Sequence, residues 1–176
     1  MKKSFPSLDQ FSTIALDFDG VFTDNKVYVD QHGVETVRCD RADGLAFDFI
    51  RKLEREGSVV PNFFILSKEP NPVVLARAKK LKLKCHHGIA DKVDFMEDYL
   101  GDEGFSKLLY VGNDLNDLPL LLKSGYSISP CDAHPMVKSS VDYVSEKKGG
   151  DGFVRDVVEK LIGFEKMSLN QIKKFI

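Results

Sequence analysis

The chain has 176 residues and a formal net charge of −2. That length suits one domain with a real core, and the charge balance gives no basic field for nucleic acid. No apolar run approaches the roughly 20 residues of a membrane span, and residues 1–6 carry two lysines but no apolar stretch, unlike a secretory signal. Cys39, Cys85 and Cys131 are odd in number and far apart, which fits a reducing cytoplasm and not a disulfide framework. His32, His86, His87 and His134 lack a zinc spacing.

Residues 1–12 read as a poorly ordered or loosely packed lead-in. The run Ile14-Ala15-Leu16-Asp17-Phe18-Asp19-Gly20 is apolar and then ends in two carboxylates. A buried strand is expected over about 13–18, with Gly20 as the turn that ends it. Period two places Asp17 and Asp19 on the same side, at the strand's C-terminal end, where open parallel α/β sheets hold their ligands. Two carboxylates this close repel unless a cation sits between them, and Mg²⁺ is the natural partner of an oxygen-only set. Such a pair suits phosphoryl transfer, one acid attacking phosphorus and the other moving the proton. An acidic turn with no catalytic role has the same residues.

Residues 26–38 alternate, break at Asp30-Gln31-His32-Gly33, and alternate again, as a β-hairpin does. Its edges need a partner. Asp40-Arg41-Ala42-Asp43-Gly44 opens a helix to about Glu56, with Leu45, Phe49, Ile50 and Leu53 at helical spacing and Asp43 as its N-cap. Residues 59–66 form a second core strand ending in Ser67-Lys68-Glu69-Pro70, where Ser67 alone reads as a helix cap. A basic amphipathic helix covers 72–84, its lysines a solvated face. After a short strand at Cys85-His86-His87, a helix opens near Asp91-Lys92 and runs through Tyr99. Residues 108–111 form another strand, which breaks into Gly112-Asn113-Asp114-Leu115-Asn116-Asp117. A short helix at 120–124, a last core strand at 126–130 and an edge strand at 141–144 complete the pattern. Gly149, Gly150 and Gly152 allow a close backbone approach to another surface. The tail, about 164–176, carries Phe164, Met167, Leu169, Ile172 and Phe175 and is expected to dock on a subunit surface.

Asp17-Phe18-Asp19-Gly20-Val21 with Thr23-Asp24 resembles the first motif of the haloacid dehalogenase (HAD) superfamily of phosphohydrolases. That resemblance implies Asp17 as nucleophile and Asp19 as general acid/base. Strand, hydroxyl, helix at Ser67 resembles the second motif and implies a hydrogen bond from Ser67 to a phosphate oxygen, helped by helix N-terminal N–H groups. Lys92 resembles the third motif, neutralising Asp17 and the incoming phosphate. Gly112-Asn113-x-x-x-Asp117 resembles the fourth motif, Gly-Asp-x-x-x-Asp, except that Asn113 stands where a metal-ligating Asp is usual. Asn113 can ligate through its amide oxygen, or Asp114 or Asp117 can supply the charge. The hairpin after the first motif, with no large cap, is similar to the cap-less 3-deoxy-octulosonate 8-phosphate phosphatase group, whose hairpins pair four subunits into a barrel and whose neighbouring subunits help close each site. Asp43-Gly44, Asp132-Ala133-His134-Pro135 and residues 149–156 resemble further segments of that group. Ala42, however, stands where many members carry Arg. Arg155 would then reach the sugar carboxylate in its own or a neighbouring site, or remain a surface arginine. Ser67-Lys68-Glu69 resembles the phosphatase-like domain of animal CMP-sialic acid synthetases, and the Glu resembles phosphatases of nine-carbon sugar acid 9-phosphates.

The sequence therefore predicts one HAD-like α/β domain over 1–176, a three-layer doubly wound parallel sheet with a β-hairpin insertion at about 26–38 and no large cap. Its expected activity is Mg²⁺-dependent hydrolysis of a 2-keto-3-deoxy sugar acid phosphate, either an octulosonate 8-phosphate or a sialic-acid-type 9-phosphate. The expected catalytic residues are Asp17, Asp19 and Lys92, with Ser67, Lys68, Glu69 and Arg155 on substrate and phosphate. Asp17, Asp19 and Asn113 are expected on the metal, Asp114 and Asp117 being alternatives. A cytoplasmic homotetramer is expected, with no nucleic-acid or membrane partner. Asn113 and Ser67-Lys68-Glu69 also motivate a weakly active or inactive module that assembles a sugar-activating partner. A phospho-accepting receiver domain shares the acid-rich strand ends but not the hairpin.

Overall fold

The computed structural model describes residues 5–175. Eight strands run in chain order as β1 (Thr13–Leu16), β2 (Thr23–Val29), β3 (Glu35–Cys39), β4 (Asn62–Leu66), β5 (Lys84–His86), β6 (Leu108–Val111), β7 (Tyr126–Ser129) and β8 (Tyr143–Val144). The helices are α1 (Ala42–Arg55), α2 (Val73–Leu81), α3 (Lys92–Leu100), α4 (Leu118–Lys123), α5 (Pro135–Ser140), α6 (Phe153–Ile162) and α7 (Leu169–Ile172). Six strands form a parallel sheet in the order β5-β4-β1-β6-β7-β8. The chain builds outward from β1 to β5, then crosses back to β6, so the sheet's switch point lies at the C-terminal end of β1.

Every residue of β1, β6 and β7 is buried, as expected of a parallel sheet covered on both faces. Alternation along β1 divides the core. Ile14 and Leu16 pack in one cluster with residues of α1, α2 and α6, and Ala15 packs in a second with residues of α3, α4 and α5. This is the three-layer architecture expected from the sequence, and no large cap is present among the described residues.

The hairpin is longer at its base than expected. Thr23 pairs with Cys39, and the register shifts before Val27, a bulge that holds Asn25 at φ +60°. Among the described residues β2 and β3 pair only with each other. At the base, Arg38 reaches Asp24 at 2.9 Å and also pairs with Asp151.

Three other expectations need correction. The lead-in is packed from Phe5 onward: its ring lies 4.8 Å from that of Tyr143, and Leu8 is buried. Residues 1–4 lie outside the described residues. Asp43 is not the cap of α1; Asp40 accepts from the Ala42 N–H at 2.8 Å, and Asp43 sits buried in the first turn. The tail docks on its own chain, Phe164 and Phe175 meeting Phe49 of α1 at 4.9 and 5.9 Å.

Candidate active site

The ends of three neighbouring strands, β4, β1 and β6, and the base of the hairpin converge on one cavity of about 400 Å³, lined by Asp17, Asp19, Asn25, Ser67, Lys68, Glu69, Pro70, Asn113, Asp114 and Asn116. Nearly every side chain expected at the site is here or directly beneath it. β1 ends at Leu16, earlier than expected, yet the alternation continues: the Asp17 N–H donates to Val111 at 2.9 Å, and Phe18 turns into the core. The Phe18 carbonyl then accepts from the N–H groups of Val21, Phe22 and Thr23, closing the turn that presents Asp19.

Lys92 is the first residue of α3, fixed there because Asp91 caps the helix through the Val93 and Asp94 N–H groups. Its side chain is almost wholly buried. The ammonium lies 2.7 Å from Asp17 Oδ1 and 2.7 Å from Asp117 Oδ1, and it donates to the Tyr110 hydroxyl at 3.0 Å. Asp117 is fully buried and does not line the cavity. Its Oδ1 accepts from Lys92 and Tyr110, and its Oδ2 accepts from the N–H groups of Asn113 and Asp114. Four donors leave it no role as an open metal ligand; it is the floor that holds Lys92 and the Asn113 turn.

Two carboxylates share one ammonium here. Asp117 keeps its charge, held low by Lys92 and by its other donors, despite its burial. Asp17 is pushed up to about 8, first by burial and then by the negative Asp117, with Lys92 opposing. Asp19 is pushed up to about 6 by burial and by Glu69. The site is therefore short of positive charge. Among the described residues no three His, Cys, Asp or Glu side chains form a ready metal cluster. The oxygen donors are instead two carboxylates and an amide: Asn113 is mostly buried, and its amide makes no hydrogen bond among the described residues. A hard divalent cation fits that set and would supply the missing positive charge.

Ser67 does not cap α2, which begins six residues later. Its hydroxyl accepts from the Glu69 N–H at 3.1 Å while lining the cavity. Arg155 is not brought to this cavity: it pairs with Glu159 at 2.7 Å, and its guanidinium stands over the Phe49 ring. Asn25, Asn116 and Tyr110 were missed. An Asn directly after Thr23-Asp24, suited to a left-handed turn, was the available signal for Asn25. A single hydroxyl in an otherwise apolar strand was the signal for Tyr110.

No family model matches the chain. A solved chain named as a HAD family hydrolase, from Streptomyces avermitilis, superposes with a TM-score of 0.82 at 36% identity, covering 91% of this chain and 90% of that one. This chain belongs to the HAD hydrolase family. Within the family its relatives include the 3-deoxy-D-manno-octulosonate 8-phosphate phosphatase of Escherichia coli K12, 27% identical over an alignment of 159 positions that covers 85% of this chain and 78% of the relative. The Moraxella catarrhalis phosphatase of the same name, solved with magnesium, phosphate and KDO, has a TM-score of 0.81 at 26% identity and covers 95% of this HAD chain and 94% of its own. No helix among the described residues is long and apolar enough to cross a membrane.

Proposed function

We propose that this HAD hydrolase is a Mg²⁺-dependent phosphatase of 2-keto-3-deoxy sugar acid phosphates. The observation that carries the reading is buried Lys92 Nζ at 2.7 Å from Asp17, a carboxylate that lines one cavity with Asp19. Asp17, Asp19 and the Asn113 amide would hold the cation, with Asp114 beside them. When bound, it supplies charge that frees Asp17 of its proton and stabilises the phosphoryl oxygens. Asp17 attacks phosphorus in line, and Lys92 balances the charge that builds on the transferred group. Asp19 protonates the leaving sugar alkoxide and then takes a proton from water to cleave the aspartyl-phosphate. Ser67 hydrogen-bonds a phosphoryl oxygen. Lys68, on the cavity wall, pairs with the sugar carboxylate, while Glu69, Asn25 and Asn116 face its hydroxyls.

The named relatives favour octulosonate 8-phosphate as the substrate; Ser67-Lys68-Glu69 supports the nine-carbon 9-phosphates as the alternative. Val27, Tyr28, Val29 and Val34 are each more than half exposed on the unpartnered hairpin, which supports the homotetramer. In such an assembly Arg155 would serve a neighbour's site or none. The three free cysteines fit a cytoplasmic setting.

The test is phosphate release from both substrate types, with and without Mg²⁺, beside Asp17→Asn. Release that needs both Mg²⁺ and Asp17 establishes the enzyme and names its sugar. Asn113 favours one second reading, a phosphatase-like assembly module. A folded tetramer that releases nothing from either substrate would replace the first reading with that one.

A further inference from the structure

Tyr110 takes no part in the reaction just described and does not line the cavity. Its ring is fully enclosed in the core cluster that also contains Ala15, Phe64, Leu66 and Met96. Its hydroxyl emerges from that packing into the polar floor of the site. There it donates to Asp117 Oδ1 at 2.6 Å and accepts from Lys92 Nζ at 3.0 Å. Each partner passes the constraint on. Lys92 reaches Asp17, and Asp117 holds the N–H groups of Asn113 and Asp114 through its other oxygen.

A buried tyrosine hydroxyl needs a hydrogen-bond partner, and any polar atom would satisfy that need. Here both partners are groups that fix the site. The Lys92 ammonium has three N–H groups and three neighbours, namely Asp17, Asp117 and Tyr110. With all three engaged, the tetrahedral nitrogen has one orientation. Without the hydroxyl, one N–H loses its acceptor and one carboxylate oxygen loses a donor, and the ammonium can turn or shift toward either acid. We propose that Tyr110 is a positioning residue: its hydroxyl, anchored by a ring in the sheet core, fixes Lys92 against Asp17 and clamps Asp117 beneath the Asn113 turn. The kinetic part of the test rests on the proposed phosphatase activity; the spectroscopic part does not.

The experiment compares the full-length protein, Tyr110→Phe, and Leu100→Ala as a control. Leu100 lies in the same core cluster, at the opposite end of α3 from Lys92. Solvent exchange of the Lys92 ammonium is followed by nitrogen-15 NMR, and kcat and KM are measured at saturating Mg²⁺. In Tyr110→Phe the expected results are exchange about tenfold faster and kcat about ten- to hundredfold lower, with KM within about twofold. Leu100→Ala should lose thermal stability and keep both kcat and slow exchange. Equal Lys92 exchange in the parent and Tyr110→Phe would overturn the proposal, as would a kcat loss matched by Leu100→Ala at similar stability. If the parent releases no phosphate, the functional reading falls and exchange alone decides. If Tyr110→Phe does not fold, 4-fluorophenylalanine at position 110 fills the hydroxyl's volume while donating nothing, and the same comparison is read on it.

Discussion

The side-chain amide of Asn113 lies against the backbone of Gly20. A Cβ built on residue 20 would stand 2.0 Å from Asn113 Nδ2 and 2.5 Å from its Cγ. Residue 20 also has φ +74°, the left-handed region that side chains resist. Gly20→Ala is therefore expected to cost roughly 1–2 kcal/mol for the backbone alone and to push Asn113 from its place. Urea denaturation should report the stability loss, and phosphate release should fall at least about tenfold. An alanine variant with full turnover would show that Asn113 need not occupy this position.

Asn113→Asp adds a negative charge beside Asp17 and Asp19, both already held above the usual carboxylate range. Without metal, the variant should melt below the parent, because like charges crowd a half-buried site. With Mg²⁺ the order should reverse. Calorimetric titration should give a dissociation constant about tenfold tighter, equivalent to about 1.4 kcal/mol. Unchanged affinity would remove Asn113 from the ligand set.

Asp43 is expected to make stability depend on pH. It is buried in the first turn of α1, 3.9 Å from the Arg77 guanidinium, and neither of its oxygens makes a well-formed hydrogen bond. Burial, with Asp40 adding to it, pushes its pKa up to about 7. The folded state thus binds this proton more tightly than the unfolded chain does. The contribution is fully present below the unfolded value near 3.8 and is lost as pH rises through about 7. Denaturation at pH 5 and pH 8 should show Asp43→Asn losing less stability over that interval than the parent, by on the order of 2 kcal/mol. Equal slopes for the two proteins would mean that Asp43 is charged throughout.

Tyr28→Lys places a charge on the exposed hairpin face. If hairpins pair between copies, light scattering should show the tetramer giving way to smaller species, while circular dichroism of the sheet and helices stays unchanged. A parent that is already monomeric would end the assembly argument.

Much of the site was readable because it sits on strand ends. Asp17, Ser67 and Asn113 each come within two residues of the end of an apolar strand, and a parallel sheet gathers such ends at one edge, whereas Lys92 is placed by the Asp91 cap of α3. The role of Asp117 was not readable. Gly112 lacks the Cβ that would stand 2.6 Å from the Asp117 side chain, so that acid folds beneath the turn and faces Lys92. Nothing in the order of residues says that an acid five places on points downward. The same holds for Asp40 and Asp43, where two acids compete for one helix start and only packing decides which is buried. Arg155 lies one helix turn from Glu159, and that local pairing governs its position within the chain.

The meeting of Gly149 and Gly150 with the first turn has a consequence for the order in which the molecule forms. Gly150 donates to the Val21 carbonyl at 3.2 Å, and a Cβ on Gly149 would stand 2.1 Å from the Gly20 oxygen. The acidic turn leaves the ribosome roughly 130 residues before the backbone that braces it. A chain halted before residue 149 would carry both aspartates and still lack the wall behind them. Closing so long a loop is slow compared with pairing neighbouring strands, so competence at this site should be among the last properties the folding chain acquires.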